Sequence, residues 1–150
     1  MKVSKRGEYG MRALCHLAER SGDGLLHIRE IAREEQIPAK FLEGILLELK
    51  RAGFVLSRRG NEGGYALSRP AEQIYIGEVI RALDGPLAPM ASAAELEAAM
   101  TREPRRAGFY ALLMDVRDAV SAILDHTSLA DVVRRNRQHA PAALSAAGEE

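Results

Sequence analysis

The sequence predicts a mainly α fold, a winged helix-turn-helix domain followed by a long C-terminal helix. Three observations predict it. Residues 38–52 carry apolar side chains at helical spacing and lead, through Gly53, into two short apolar runs separated by a glycine- and arginine-rich tip. Two shorter amphipathic stretches precede them. A single long apolar stripe follows, between residues 105 and 126.

The first helix is expected over 4–20, with Ser4 as N-cap and Tyr9, Ala13, Leu14, Leu17 and Ala18 on one side. Ser21-Gly22-Asp23-Gly24 ends it, and Leu25-Leu26 is too short to assign beyond a possible strand of the wing. The second helix, 27–36, turns Ile28, Ile31 and Ala32 inward until Ile37-Pro38 breaks it. In the third helix Leu42, Ile45, Leu46 and Leu49 recur at i, i+3, i+4 and i+7, leaving Lys40, Glu43, Gly44, Leu47, Lys50 and Arg51 on the opposite side. Residues 54–57 and 65–67 then pair as a hairpin across Arg58–Gly64.

Beyond a turn at 68–71, a short helix is expected over 77–83. Residues 86–104 read as a loop with one or two helical turns at 93–100. The long helix carries Phe109, Leu112, Leu113, Val116, Val120, Ile123 and Leu124 on one stripe. Such a stripe either packs back on its own domain or forms a two-fold interface with a second copy, and palindromic DNA sites favour the second. A short capped helix follows at 127–133, and the Ala-rich end from 138 to 150 reads as disordered. The expected division is therefore 1–85, 86–104, 105–137 and 138–150.

Composition narrows the function. The chain has 150 residues and carries 21 Lys+Arg against 21 Asp+Glu, so it is no generic polyanion binder. The charges are unevenly spread: residues 1–75 hold 13 basic and 10 acidic groups, and residues 76–150 hold 8 and 11. No apolar run approaches a membrane span, and the N-terminus lacks the pattern of a secretory signal, so a cytoplasmic protein is expected. One cysteine, Cys15, excludes an intramolecular disulfide and any site needing two thiolates of one chain. Cys15 reads as small buried packing or, alternatively, a redox-sensing thiol. His16, His27, His126 and His139 lack metal-ligand spacing and read as surface or cap residues; no phosphate loop or nucleophile elbow appears, so no enzyme is expected.

The chemistry that remains is that of duplex DNA. Lys40, near the start of the third helix, can reach a base edge or a phosphate, and Glu43 can accept from a cytosine amino group or pair with a neighbouring charge. Gly44 in mid-helix costs about 1 kcal/mol relative to alanine, which either a close approach of DNA or a tight helix crossing would explain. At the tip, Arg58 and Arg59 with Gly60, Gly63 and Gly64 combine a turn with two guanidinium groups suited to a narrow minor groove. The competing class is a protein-interaction adaptor that keeps the scaffold without binding DNA.

Several blocks are longer than these general patterns. They are Lys40-Phe41-Leu42-Glu43, Ala52-Gly53-Phe54-Val55, Arg59-Gly60-Asn61-Glu62-Gly63-Gly64-Tyr65-Ala66-Leu67, Arg69-Pro70, and the run from Gly77 to Pro89. Over roughly residues 1–135 they resemble the Rrf-two family of bacterial transcription regulators. The resemblance implies a homodimeric winged-helix regulator, expected to be a repressor, on a near-palindromic operator. It assigns Lys40, Phe41, Glu43 and Gly44 to the recognition helix, Arg59 and Gly60 to a minor-groove wing, and Tyr9 to a phosphate contact. Gly44 departs from the pattern, since many relatives carry glutamine there. Cluster-bearing members also place three cysteines before the long helix; here that stretch reads Met90-Ala91-Ser92 and has no thiol through Pro104. Glu8 resembles an acidic ligand that some members supply across the dimer, but one carboxylate without thiolates does not hold an iron–sulfur cluster. No cluster is expected, and control is expected from a partner protein, a small effector or another redox route.

Overall fold

A computed structural model describes residues 2–87 and 91–140. Part of the expected loop (88–90) and most of the expected tail (141–150) lie outside the described residues. Helix α1 spans Lys5–Glu19, α2 Ile28–Glu34 and α3 Ala39–Arg51; the strands are β1, Val55–Arg58, and β2, Gly64–Leu67. Then come α4 (Ile76–Asp84), α5 (Ala93–Arg102), α6 (Ala107–Asp125) and α7 (Leu129–His139). Short 3₁₀ turns at Ala71–Gln73 and Pro104–Arg106 precede α4 and α6.

Local chemistry sets the ends of these elements. The Ser4 hydroxyl accepts the Gly7 N–H at 3.0 Å, capping α1 as expected. Asp84, at the end of α4, accepts the Ser4 N–H at 3.1 Å and also its hydroxyl proton. A side chain at Gly7 would meet that carboxylate, so the glycine lets α1 and α4 close together. Ser92 and Ser128 each form a reciprocal capping box, with Glu95 and Asp131, starting α5 and α7.

The core lies between α1, α2, α3, α4 and α7. Leu14, Ile31, Leu42, Leu46, Leu49, Ile74, Val79 and Leu129 are fully buried there. The inward residues of α3 are the four that helical spacing selects. Helix α7 is the short capped helix expected after the long one. It returns to the winged-helix core, where Leu129 and Val133 are buried and the Ile76 and Leu129 N–H groups donate to Thr127 and Ile74. It also runs on to His139, so residues 138 and 139 are helical rather than part of a disordered tail. Its last turn carries Arg137 and His139, which suit the negative end of the helix dipole.

The wing is antiparallel, pairing Val55 with Leu67, Leu56 with Ala66, Ser57 with Tyr65 and Arg58 with Gly64. Leu26 joins its edge: the Leu26 N–H donates to Tyr65 O at 2.9 Å and the Tyr65 N–H to Leu26 O at 2.8 Å. Gly64 has φ +144°, and a side chain there would strike the Leu26 backbone. Arg69 ties the base of the wing to α4. Its guanidinium donates to Gly53 O at 3.1 Å and to Glu78 at 3.3 Å, and it lies over the Phe54 ring at 5.2 Å.

Helix α6 packs on α4 and α5 without burying any residue fully and touches this core near its end through Leu124. Arg81 of α4 grips Asp125 near its end with two bonds, at 2.7 and 2.9 Å. The guanidinium holds the Asp125 carboxyl below its ordinary range. The ionised pair therefore contributes fully above the ordinary carboxyl range, and that contribution is lost as pH falls from there through the lowered value of the folded state.

Candidate nucleic-acid interface

On α3 the four core residues occupy one side, and Lys40, Phe41, Glu43, Gly44, Leu47, Lys50 and Arg51 are all exposed. Lys40, Gly44, Leu47 and Arg51 recur at i, i+4, i+7 and i+11, which puts them on one outward stripe opposite the buried leucines. The first turn of α3 holds no acidic side chain, and Pro38 ahead of it makes no side-chain cap bond. The positive end of the helix therefore stands beside the Lys40 ammonium, an arrangement that favours phosphate.

Gly44 was open to two explanations. A side chain built on it meets nothing within 4 Å, so no helix among the described residues crosses there. The helix offers bare backbone to whatever docks on the α3 surface.

Tyr9 links α1 to this surface. It is half-buried and meets the exposed Phe41 ring edge-to-face at 5.6 Å. The Lys5 ammonium and the Arg12 guanidinium each lie 5.4 Å from the Tyr9 ring centre. Glu8, between them, pairs with Arg12 at 2.6 Å and Lys5 at 3.5 Å. It is thus committed within α1. Sequence reasoning named Tyr9 and missed Lys5 and Arg12; their signal was the i±4 and i±3 spacing from that tyrosine.

At the wing tip Arg58, Arg59 and Gly60 are exposed, and Gly60 has φ +107°. Gly63 is buried: its N–H donates to Gly60 O at 3.0 Å, and a side chain there would strike the backbone of Arg58 and Arg59. Gly63 and Gly64 thus shape the turn, while the arginines and Gly60 form its outer surface. Several other cations on this half of the molecule are neutralised internally, Arg6 by Glu48 and Arg20 by Glu30 and Glu34. Among the described residues Lys40, Lys50, Arg51, Arg58 and Arg59 have no such partner. The exposed Glu43 and Glu62 on the same surface also lack a partner there, so the zero net charge of the chain conceals a face with a modest cationic excess.

The rest of the titratable chemistry lies elsewhere. His16 was expected at the surface. It is instead buried, 5% exposed, with Nδ1 2.8 Å from Glu35 and Nε2 3.5 Å from Glu34, because α2 brings two carboxylates against that edge of α1. His27, His126 and His139 are exposed, and His27 starts α2 without a side-chain cap bond. Burial, with the nearby Glu19 charge, pushes the Cys15 thiol up to about 11. It is therefore protonated at neutral pH, when the thiolate is the reactive form. Among the described residues no three His, Cys, Asp or Glu side chains are grouped to hold a metal. No helix among them is long and apolar enough to cross a membrane.

The predicted interface residues on α6 divide into two strips. Phe109 (60% exposed), Leu112, Val116 and Ile123 (64%) stand open to solvent. Leu113, Val120 and Leu124 are half-buried, and Leu124 packs against the core.

Comparison with known proteins places this geometry. A family model described as "Rrf2: Iron-dependent Transcriptional regulator" matches residues 3–135. The chain is 35% identical over 132 residues to the HTH-type transcriptional regulator CymR of Bacillus subtilis, covering 88% of this chain and 89% of that one. It is 31% identical over 144 residues to the HTH-type transcriptional regulator IscR of Cereibacter sphaeroides, covering 95% and 93%. The fold matches the solved structure of CymR, the global cysteine regulator of B. subtilis, with a TM-score of 0.74 at 32% identity, covering 90% of this chain and 98% of that one. It matches IscR of T. potens with a TM-score of 0.69 at 29% identity, covering 97% and 96%. The chain belongs to the Rrf2 family of DNA-binding transcriptional regulators and is not an enzyme.

Proposed function

We propose that the protein is a cytoplasmic homodimeric repressor of a palindromic operator, working without an iron–sulfur cluster. The observation that carries this reading is the division of labour between two exposed surfaces. One is cationic, with α3 and the Arg58–Arg59 tip; the other is the apolar strip of α6. Two copies joined along α6 would present α3 and the wing twice, the arrangement that reads half-sites one helical turn apart. In each half Lys40, Phe41, Glu43 and Gly44 would face the major groove, Arg51 and Tyr9 the backbone, and Arg58, Arg59 and Gly60 the minor groove.

The family description names iron, and the donor set of this chain does not fit a cluster. Its one thiol is buried in α1, and positions 86–104 supply none. Glu8, the acidic ligand that the resemblance suggested, is engaged by Arg12 and Lys5. Control therefore falls to a small effector or a partner protein. Protein purified without oxygen should be colourless and free of stoichiometric iron; a brown preparation with visible iron–sulfide absorbance contradicts this reading.

The alternative is an adaptor that keeps the scaffold for protein contacts, and zero net charge favours it. Titrating the full chain with a random-sequence duplex at low salt separates the two. A regulator binds and releases as salt rises; an adaptor gives no salt-dependent signal.

A further inference from the structure

The outward stripe of α3 is not uniformly polar. Its ends are the cations Lys40 and Arg51, and its middle is Gly44 and Leu47. Leu47 is 46% exposed and contributes to no core, and Phe41 beside it is 45% exposed. Between them lies a surface recess of about 350 Å³, lined by Phe41, Gly44, Ile45 and Leu47, with Lys40, Arg51 and the Arg6–Glu48 ion pair at its edges. The recess exists because Gly44 has no side chain. A helical side chain leans back over the preceding turn, so Leu47 leans toward the bare backbone at Gly44.

Dimensions and chemistry select the occupant. Lys40 and Arg51 stand about 16 Å apart along the helix axis, more than the ~12 Å width of the major groove. Cations at the two ends can therefore meet the flanking phosphate backbones while the middle of the stripe lies in the groove. The groove edge of B-DNA is polar except for one group, the C5-methyl of thymine. An exposed leucine beside an exposed phenylalanine, over a gap in a cationic helix, complements that group and leaves the other base edges unsatisfied.

Resting on the DNA-binding reading above, we infer that the Phe41–Gly44–Leu47 recess is a thymine reader that takes the C5-methyl of one thymine per half-site. It gives the open Gly44 a role: the helix offers shape there rather than a hydrogen-bonding side chain. Glu43, on the neighbouring strip, accepts from an amino group of an adjacent base.

The test uses duplexes selected by the full-length protein from an unmethylated random library. Each thymine of the selected site is replaced in turn by deoxyuridine, which removes only the methyl. At one position affinity should fall about fourfold per half-site, and roughly fifteenfold when both halves are changed. Leu47→Ala, an exposed change to a good helix former, should bind the thymine and uracil duplexes alike, and Leu47→Met should restore the difference.

Uracil duplexes bound as tightly as thymine ones at every position overturn the inference. So does a Leu47→Ala protein that still tells them apart. A selected site with no preferred thymine would overturn it too; if methylating a cytosine there then raised affinity, the recess would serve 5-methylcytosine instead. A protein that selects a site and releases it with salt, yet ignores the methyl, refutes the thymine reader and leaves the regulator standing. Absence of any DNA binding refutes both.

Discussion

Affinity for duplex DNA should collapse by ~10³–10⁵ between about 50 and 200 mM salt if the dimer neutralises roughly 6–10 phosphates. The unpaired cations of the interface make this count reachable. Lys40, Lys50, Arg51, Arg58 and Arg59 give five per subunit. Not all of them need touch phosphate, since arginines at the wing tip can enter the minor groove. Fluorescence anisotropy across a salt series reads the slope directly. Arg59→Ala should weaken binding to every sequence and flatten the slope by about one for each phosphate no longer neutralised. The residue is exposed at a loop tip, so the fold should survive the change, and circular dichroism checks that. Unaltered affinity in Arg59→Ala removes the wing from the interface.

The second large effect concerns α6. Phe109 and Ile123 are the most exposed large apolar residues of the described chain, and they lie fourteen positions apart on one strip with Val116 midway. Such a strip exceeds the scatter of single apolar residues that an ordinary surface carries. Replacing Phe109 and Ile123 together by glutamate places two charges in a surface that must lose its water on association. The double variant should sediment as a folded monomer. Its operator affinity should fall by about 10²–10⁴, the advantage that linking two half-site modules confers. The wild-type chain sedimenting as a monomer at micromolar concentration, or the variant remaining dimeric, would place this strip outside any interface. Neither glutamate touches the core, so thermal unfolding should change little.

The two surfaces were legible to different degrees, and the difference is physical. Helix α3 and the wing were readable because each is a local pattern: four apolar residues at helical spacing, a glycine, and a hairpin closed over a few residues. Their boundaries fall within about one residue of expectation. Leu26 was not assignable, since a two-residue contact with Tyr65 is set by distant backbone rather than by its own sequence. The same holds for α7. A short apolar stripe says that a helix must be covered, not by which core; the burial of Leu129 and Val133 and the backbone bonds of residues 76 and 129 show that it returns to the first domain. Helix α5 starts at the expected Ala93, behind the Ser92–Glu95 capping box, and runs two residues further than expected, to Arg102. His16 illustrates the limit for single polar residues. Nothing within α1 announces the carboxylates of Glu34 and Glu35 that surround it.

The site was legible as a set of outward residues, and the structure adds what separates them. Gly63 and Gly64 shape the turn. Gly44 is free of any internal neighbour, which turns an ambiguous helix-weakening residue into an open contact point. The apolar residues of α6, one stripe in the sequence, divide into a strip turned to the domain and a strip turned to solvent. Periodicity alone could not make that division, because it depends on where α4 and α5 pack.

Hydroxyl-radical footprinting of the full-length protein on a duplex it has selected tests the central claim most directly. Two copies gripping one duplex through α3 and the wing should protect two symmetric patches on one face, centred one helical turn apart, about 10 base pairs. Protection flanking each patch in the minor groove should disappear with Arg59→Ala. A single asymmetric patch, or protection identical in the wild type and Arg59→Ala, would contradict it.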